Sequence, residues 1–238
     1  QPGVQVMNTD DSSWRDAISE AATTVATSRE MEPDDTFMLI FTSGTSGAPK
    51  AVQVANVMVV LAGATLTDRY AMGPADTCYL SMPMFHSNAI MGGYAVAVCS
   101  GAAMALAPKF SASRFLADIR RYDATYMNCV GKPLAYILRT PELPGDADNP
   151  LRVAFGNEAA DRDIAAFSSR FDAEVRDGFG STEAAIIITR DDGTPPGSIG
   201  VPWPDVAVYN SLTRQECPRA EFDRHGRVTN LDEAVGEL

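Results

Sequence analysis

The chain has 238 residues, and 19 basic against 31 acidic side chains give it a formal net charge of −12. Hydrophobic residues make up 45% of the chain and charged residues 21%, which is typical of a globular protein with a sizeable core. Because an acidic chain repels nucleic-acid phosphates and anionic lipids, neither nucleic acid nor a membrane surface is expected as a partner.

The first 35 residues are polar and acidic, with one helical pattern from Trp14 to Ala26, and are predicted to be a partial segment that leads into a domain. From Thr36 onward, short apolar runs alternate with amphipathic segments. The apolar runs predict strands at 37–41, 102–107, 125–130, 151–155 and 173–175. The amphipathic segments predict helices at 111–121, capped by Ser111, and at 133–139 and 161–171.

The uncharged stretch from Ala89 to Ala107 is long enough to be compared with a membrane span. Its glycines and alanines make it weakly apolar, and Ser100-Gly101 is typical of a turn. We therefore predict a buried helix followed by a buried strand, and no transmembrane segment.

Strands separated by helical segments of about a dozen residues are typical of βαβ units. The predicted fold class is therefore α/β, with a mostly parallel sheet and flanking helices over residues 36–190. From Asp191 the pattern changes to Gly/Pro turns and short strands at Val206–Tyr209 and Val235–Leu238. Residues 191–238 are predicted to be the start of a small antiparallel β-barrel subdomain.

The chain has four widely separated cysteines, none in a Cys-x-x-Cys pair: Cys78, Cys99, Cys129 and Cys217. Their spacing predicts neither a zinc site nor a disulfide framework. No positively charged, apolar leader opens the sequence, so we expect a cytoplasmic protein with reduced cysteines.

The segment Thr42-Ser-Gly-Thr-Ser-Gly-Ala-Pro-Lys50 directly follows the first predicted strand. It combines four hydroxyls, two glycines whose amides can turn toward a ligand, and one ammonium group. This composition suits a chain of phosphates, although a solvated polar turn is the alternative. The segment is not a Walker A loop, because Pro49 precedes the lysine and strand-like alternation follows it.

Two further segments carry candidate chemistry. Asp177-Gly-Phe-Gly-Ser-Thr-Glu183 follows another predicted strand and offers a ring face, a hydroxyl and a carboxylate suited to Mg²⁺. Taken alone, it is equally typical of a plain strand-to-helix turn. Pro83-Met-Phe-His-Ser-Asn88 contains His86, one of only two histidines, and a lone histidine is more often structural than catalytic. The other, His225, is predicted to be an exposed turn residue without a role.

Together, these segments resemble the motifs of the adenylate-forming superfamily, which includes acyl-CoA synthetases, peptide-synthetase adenylation domains and luciferases. The family's phosphate loop matches from Thr42 to Lys50, with Ser46 in place of a threonine and Ala51 in place of the last glycine. The family's Tyr-Gly-x-Thr-Glu motif appears as 179–183, with Phe179 in place of the tyrosine. Its Pro-x-Phe-His segment is 83–88, and 153–158 falls where the family has its adenine loop. The resemblance runs from about Thr36 to Leu238.

The resemblance implies a two-step ligase. A carboxylate and ATP give an acyl-adenylate and pyrophosphate, and a thiol, usually that of coenzyme A, then takes the acyl group. The resemblance places the β- and γ-phosphates against Thr42, Ser43, Gly44, Thr45, Ser46, Gly47 and Lys50. It places the α-phosphate at Thr182, Mg²⁺ at Glu183, and the acyl-tunnel mouth at His86. It encloses adenine between Gly156, Asn157, Glu158, Gly178, Phe179 and Gly180.

The sequence ends at Leu238, where the family continues to a ribose-binding Thr-Gly-Asp segment, a hinge and a C-terminal domain with the adenylation lysine. We therefore expect a fragment of a longer synthetase, inactive alone. A naturally short, non-catalytic nucleotide-binding protein is the alternative from a different class.

Among ligases, Gly156-Asn157 resembles the loop of long-chain fatty acyl-CoA synthetases, and the small, apolar residues Met91 and Gly92 suit a tunnel for an alkyl chain. Helix-to-sheet packing is the alternative explanation of Met91 and Gly92. The alternatives to a fatty acid substrate are an aryl acid or another acid, and the alternative to an acyl-CoA synthetase is a peptide-synthetase adenylation domain. The expected partners are a carboxylic acid, ATP and coenzyme A.

Overall fold

The computed structural model describes residues 10–20, 30–43, 49–182, 186–190, 193–194, 198–202 and 206–237. The chain divides into two compact units, one ending at Glu32 and the other beginning at Pro33. In the first unit, helix α1 spans Ser12–Glu20. The predicted helix is thus confirmed as far as Glu20, and its remainder lies outside the described residues.

The second unit is built on a sheet of seven described strands in the order β4-β3-β5-β6-β7-β8-β9. Strands β4, β3, β5, β6 and β7 run parallel, and β8 and β9 extend the sheet in antiparallel pairing. Their bounds are β3 Thr77–Leu80, β4 Ala103–Leu106, β5 Tyr126–Val130, β6 Val153–Asn157, β7 Glu174–Gly180, β8 Ile187–Thr189 and β9 Val201–Pro202. The predicted α/β class with a mostly parallel sheet is confirmed.

Helices cover both faces of this sheet. The helical segments of the second unit that the structure describes are α2 Asn56–Arg69, α3 Ser87–Ala89, a π-helical segment Ile90–Tyr94, α4 Ala95–Ser100, α5 Phe115–Arg121, α6 Gly131–Leu138, α7 Asp161–Phe171 and α8 Leu231–Ala234. Successive side chains of a strand point to opposite faces, so Tyr126 packs into a core with Val96 of α4, and Met127 packs into a core with Phe115 and Phe167.

A buried ion pair fixes α7 to the end of α6. Arg170 Nε donates to Asp146 Oδ2 at 2.7 Å, and the two side chains are 8% and 5% exposed. The same guanidinium donates to the backbone carbonyls of Leu138, Thr140 and Pro141. Burial acts to raise the pKa of Asp146, but hydrogen bonds and the Arg170 charge outweigh it and hold that pKa below its usual value.

The first predicted strand lies outside the parallel sheet. Strand β1, Thr36–Ser43, pairs antiparallel with β2, Pro49–Ala55, in a separate two-stranded ribbon. Within the predicted phosphate segment, Thr42 and Lys50 therefore face each other across this ribbon. Each strand of the ribbon pairs along one edge, and Ile40 and Val54 pack on Val59 of α2.

Two other local expectations are wrong. The strand predicted to be buried at 102–107 is exposed at Met104 and Leu106, because β4 is an edge strand of the sheet. Ser111 does not cap α5: the residue before the helix is Arg114, with no side-chain cap, and the Ser111 hydroxyl lies beside that of Ser113.

Within residues 206–237, regular secondary structure is limited to helix α8 and isolated β-bridges. Tyr209 pairs with Glu216 and Glu237, and Phe222 pairs with Val228. The predicted strands at 206–209 and 235–238 are thus reduced to single bridged residues, and these residues form no closed barrel. The domain boundaries at 35 and 190 stay predictions. Among the described helices, none has both the length and the apolarity that crossing a membrane requires.

Candidate functional site

A cavity of about 410 Å³ lies between α2 and the strands β6, β7 and β8. One wall is a face of α2 on which Met58, Leu61 and Leu66 recur at helical spacing. The opposite wall is formed by Phe155 of β6 and by the glycines of β7. The lining is mostly apolar and includes a smaller number of polar side chains, which is the composition expected of a small-molecule site.

At one end of the cavity, three asparagines form a hydrogen-bonded chain. Asn128 Nδ2 on β5 donates to Asn88 Oδ1 on α3 at 2.8 Å, and Asn88 Nδ2 donates to Asn157 Oδ1 at the end of β6 at 2.8 Å. Asn157 Nδ2 in turn donates to the Gly178 carbonyl of β7 at 2.9 Å. This asparagine chain ties the 83–88 segment to the 153–158 and 177–183 segments.

The Gly178 carbonyl, at the end of the asparagine chain, fixes the direction in which the amides donate. Gly178 O can only accept, so Asn157 must present its amide nitrogen there and its oxygen to Asn88. The same reasoning orients Asn128, because Asn88 Oδ1 can only accept and so Asn128 presents its amide nitrogen there. Asn128 is fully buried, and its Oδ1 has no partner among the described residues. Asn128 therefore serves the site as a donor only.

Hydroxyl groups gather beside the asparagine chain. Ser87 Oγ lies 3.4 Å from Thr182 Oγ1. The neighbouring Ser181 Oγ is buried and has no hydrogen-bond partner within the described parts of the chain. A cluster of hydroxyl donors, one of them unpartnered, fits an anionic group such as a phosphate or a carboxylate.

The helix that lines the cavity is locally widened. Segment Ile90–Tyr94 has π-helical hydrogen bonding, a feature common at functional sites. Its Gly92 carbonyl accepts from Tyr126 Oη at 2.6 Å. A Cβ atom added to Gly92 would lie 3.0 Å from the Phe155 ring, and one added to Gly93 would lie 2.9 Å from Asn128 Oδ1. The two glycines therefore permit close approach of this helix to the sheet.

The predicted adenine loop is hydrogen-bonded to β7 next to this end of the cavity. Glu158, just past β6, has a left-handed backbone with φ of 64°. The next amide, Ala159 N, donates to Asp177 Oδ1 at 3.1 Å. Burial raises the pKa of Asp177 above its usual value, although the Ala159 hydrogen bond and Arg190 act against that rise. Phe179 lines the cavity and is 40% exposed, so its ring is accessible to a ligand.

Strand β7 corrects one local prediction. The sequence placed 177–183 just past a strand, whereas β7 runs through Gly180 and carries Asp177, Gly178 and Phe179 within its pairing. Glycines allow β7 and β8 to pair closely where the sequence suggested a turn.

Several predicted site residues are not placed in the cavity. Lys50 is exposed on β2, and Thr42 is half-buried on β1, while 44–48 lie outside the described residues. Neither Lys50 nor Thr42 lines the cavity. His86 is exposed with its ring 4.5 Å from that of Phe85, and its neighbours Ser87 and Asn88 line the cavity instead.

The metal prediction is not tested by the structure. Glu183 lies outside the described residues, and those that are described contain no group of three or more His, Cys, Asp or Glu arranged to hold a metal ion. The Mg²⁺ assignment therefore stays a prediction.

Sequence reasoning did not select Ser87, Asn88 and Ser181, although they lie within the motif segments. It also did not select Asn128, Arg69 and Arg176, which lie outside those segments. A signal existed for Asn128, since an amide in the otherwise apolar run Tyr126-Met-Asn-Cys-Val is unusual for a buried strand. Nothing in the local pattern indicates that Arg69 and Arg176 face one cavity.

Comparisons with known proteins identify the family of the chain. A family described as "AMP-binding enzyme" matches residues 3–228. Medium/long-chain-fatty-acid–CoA ligase FadD17 of Mycobacterium marinum is 49% identical over 216 residues, which cover 91% of this chain and 43% of that protein. Steroid-22-oyl-CoA synthetase of Rhodococcus jostii is 44% identical over 203 residues, which cover 85% of this chain and 37% of that protein. The chain thus spans less than half the length of these relatives.

Among solved structures, ATP-bound MatB from Rhodopseudomonas palustris superposes with a TM-score of 0.74 over 87% of this chain and 42% of MatB. Its sequence identity is 22%, so this likeness concerns the fold.

Proposed function

We propose that this chain, which belongs to the AMP-binding enzyme family, forms the nucleotide- and acyl-binding part of an acid–CoA ligase. In the proposed reaction, a fatty acid carboxylate attacks the α-phosphorus of ATP, giving an acyl-adenylate and pyrophosphate. The thiol of coenzyme A then displaces AMP and forms the thioester. The names of the relatives support this class of reaction.

One observation supports the proposal most strongly. An apolar cavity ends at a cluster of amides and hydroxyls to which three separate motif segments contribute, through Asn88, Asn157 and Thr182. An alkyl chain in the cavity would present its carboxylate to this cluster, beside the cleft at Phe179. Holding the two reactants together in this way is the main catalytic task in an in-line displacement.

The described polar groups fit the reacting end of the substrates. In the proposed complex, Thr182 and the unpartnered hydroxyl of Ser181 donate to the α-phosphate or to the carboxylate. Phe179 stacks on adenine, and Gly156, Asn157 and Glu158 close the other side of the ring. Lys50, with residues 42–47, holds the β- and γ-phosphates, and Mg²⁺ at Glu183 supplies charge neutralisation when bound. A cytoplasmic location stays a prediction.

The test is fatty-acid-dependent exchange of labelled pyrophosphate into ATP, measured on the complete product of the gene that encodes this chain. We expect exchange with medium- and long-chain acids, and a loss of at least about 100-fold in Thr182→Val, since one preorganised donor typically contributes that much. His225→Ala, in an exposed turn, is the matched control. Exchange that is absent, or that does not depend on an acid, would leave a non-catalytic nucleotide-binding protein as the better account.

A further inference from the structure

Asn88 is the residue at which the asparagine chain meets the apolar surface of the cavity. Its side chain lines the cavity together with Met91 and Gly92, which follow it in the same helical segment at spacings of three and four residues. Residues at these spacings share one face of a helix, so this face presents one polar side chain followed by apolar surface. Phe155 of β6 packs against Gly92 and continues the apolar wall. A ligand with a polar head and an apolar tail matches that order.

Asn128 holds the Asn88 side chain in one orientation. Its Nδ2 donates to Asn88 Oδ1 at 2.8 Å and also lies 3.4 Å from the Asn88 backbone carbonyl, so one buried amide contacts Asn88 at two acceptors. Asn128 is fully buried, and turning its side chain away would leave its amide without these partners. Asn88 therefore keeps its oxygen toward Asn128 and its amide nitrogen toward Asn157.

One amide hydrogen of Asn88 is left for a ligand. The Nδ2 atom carries two hydrogens, and one of them is donated to Asn157 Oδ1 at 2.8 Å. The other has no acceptor among the residues that the structure describes. The oxygen of the same amide, in contrast, already accepts from Asn128. Asn88 thus offers the cavity a hydrogen-bond donor, and a ligand group that accepts hydrogen bonds fits it.

The groups next to Asn88 are hydroxyls, which also donate. Ser87 Oγ lies 3.4 Å from Thr182 Oγ1, and both Ser87 and Ser181 line the cavity. The buried Ser181 Oγ has no partner within the described parts of the chain. Because the proposed function puts the α-phosphate at Thr182, an anionic head held by Asn88 would lie beside the phosphorus atom that it attacks.

The charged side chains that line the cavity all have partners in the protein. They are Arg69, Arg176, Arg190 and Asp177. Asp177 accepts from the Ala159 amide, and Arg190 pairs with Asp161 of α7. Arg69 donates to the Arg190 carbonyl, and Arg176 pairs with Glu174. The sign of the ligand is therefore not dictated by an isolated charge, and the hydrogen-bond donors beside Thr182 select its polar group.

We propose that Asn88 binds the reacting carboxylate of the acid through the second hydrogen of Nδ2, and that it is a specificity-determining residue of this site. The inference rests on the proposed function, which supplies the reaction and the α-phosphate. One carboxylate oxygen bound to Asn88 leaves the other to attack the α-phosphorus. A charged acceptor strengthens this hydrogen bond, whereas an alcohol accepts it more weakly and an ammonium group, which only donates, cannot accept it.

The test measures the affinities of octanoate and octylamine for the complete product of the gene that encodes this chain, by isothermal titration calorimetry at fixed salt and pH. Asn88→Asp keeps the shape of the side chain and its acceptor toward Asn128, but it replaces the donor with an anion. We expect it to lower the ratio of octanoate to octylamine affinity by about 100-fold, since like charges in contact repel strongly. Asn210→Asp adds the same charge in an exposed turn outside the cavity and should keep the wild-type ratio.

Two further measurements keep the test decisive. The wild type, which needs no substitution, should bind octanoate about ten-fold more tightly than octan-1-ol, because only the acid receives a charge-assisted hydrogen bond. Asn88→Asp should also weaken octanoate binding more than AMP binding, because the phosphate of AMP is bound at Thr182. A ratio of octanoate to octylamine that is unchanged in Asn88→Asp, equal wild-type affinities for octanoate and octan-1-ol, or a larger loss for AMP would overturn the proposal.

Acid-dependent pyrophosphate exchange by the wild type distinguishes this inference from the proposed function. If the wild type catalyses exchange but Asn88→Asp keeps the ratio of octanoate to octylamine affinity, Asn88 does not bind the carboxylate and the proposed function stands. If the wild type binds neither octanoate nor AMP and catalyses no exchange, both proposals are wrong.

Discussion

Replacing Asn128 by aspartate tests the direction of the asparagine chain. Asparagine and aspartate have nearly the same shape, so the substitution changes hydrogen bonding and charge with little effect on packing. In the wild type, Asn128 Nδ2 donates to Asn88 Oδ1 at 2.8 Å, and the side chain is fully buried. An ionised carboxylate at this position cannot donate, so two acceptor oxygens would face each other away from water.

The expected cost follows from two contributions. Loss of the hydrogen bond and the resulting unsatisfied amide oxygen cost about 1 to 3 kcal/mol, and burial of an unpaired carboxylate adds more until the group takes up a proton. We expect Asn128→Asp to lower the free energy of unfolding by about 3 kcal/mol at pH 7.5. Urea denaturation followed by circular dichroism gives this difference directly.

The pH dependence has a defined sign. Burial and the facing oxygen raise the pKa of Asp at position 128 in the folded state above its unfolded value of about 3.9, so the folded state takes up the proton more readily. The variant should therefore regain stability relative to wild type as pH falls from 7.5 toward 5, because a protonated carboxyl can donate to Asn88. Asn210→Asp is the control, since Asn210 Oδ1 only accepts, from the amides of Leu212 and Thr213. If Asn128→Asp is within about 0.5 kcal/mol of wild type at pH 7.5, the inferred donor role of Asn128 is wrong.

Three further predictions concern the nucleotide, the cavity and the fold. In the complete gene product, Lys50→Ala and Glu183→Ala should each lower the rate of pyrophosphate exchange by about 100-fold or more, and rates within about three-fold of wild type would exclude both from phosphate and metal binding. Ala62→Trp, on the α2 wall, should fill the cavity and reduce kcat/KM for long acids more than for short ones, in graded steps of roughly 1 to 3 kcal/mol per methylene at most; equal losses at all lengths would place the acyl chain elsewhere. Arg170→Met should lower the free energy of unfolding by about 3 to 5 kcal/mol, because Asp146 would remain buried and unpaired, and a urea midpoint equal to that of wild type would contradict this account of the ion pair.

Local patterns predicted four of the five parallel strands, β4, β5, β6 and the start of β7, from short apolar runs, whereas β3 was not predicted. Helix α7 was predicted with its observed bounds, since acidic residues open it and Phe167 and Phe171 share one face. Strand β1 has the same apolar pattern and was therefore assigned to the same α/β domain. Its antiparallel pairing with β2 joins neighbouring segments, from Ser43 opposite Pro49 to Thr36 opposite Ala55, so the local pattern contained this ribbon and the assignment to the parallel sheet overlooked it.

The candidate site was predictable where it consists of contiguous motifs. Asn157 and Thr182 were selected from their segments, and the structure brings both to one end of the cavity. Arg69 and Arg176 are far apart in sequence and lie in ordinary contexts, one at a helix end and one within a strand. They come together only because α2 and β7 line the same cavity, an arrangement set by residues elsewhere in the core.

The central claim is that the nucleotide cleft and the apolar cavity form one continuous site. It is tested most directly by the affinity of the 238-residue chain for a stable acyl-adenylate analogue, dodecanoyl sulfamoyl adenosine, compared with AMP and dodecanoate alone. A continuous site predicts that the analogue binds at least about 100-fold more tightly than either half, because the second half binds at a high effective concentration. An analogue that binds no more tightly than AMP, or that binds together with dodecanoate, would contradict the claim.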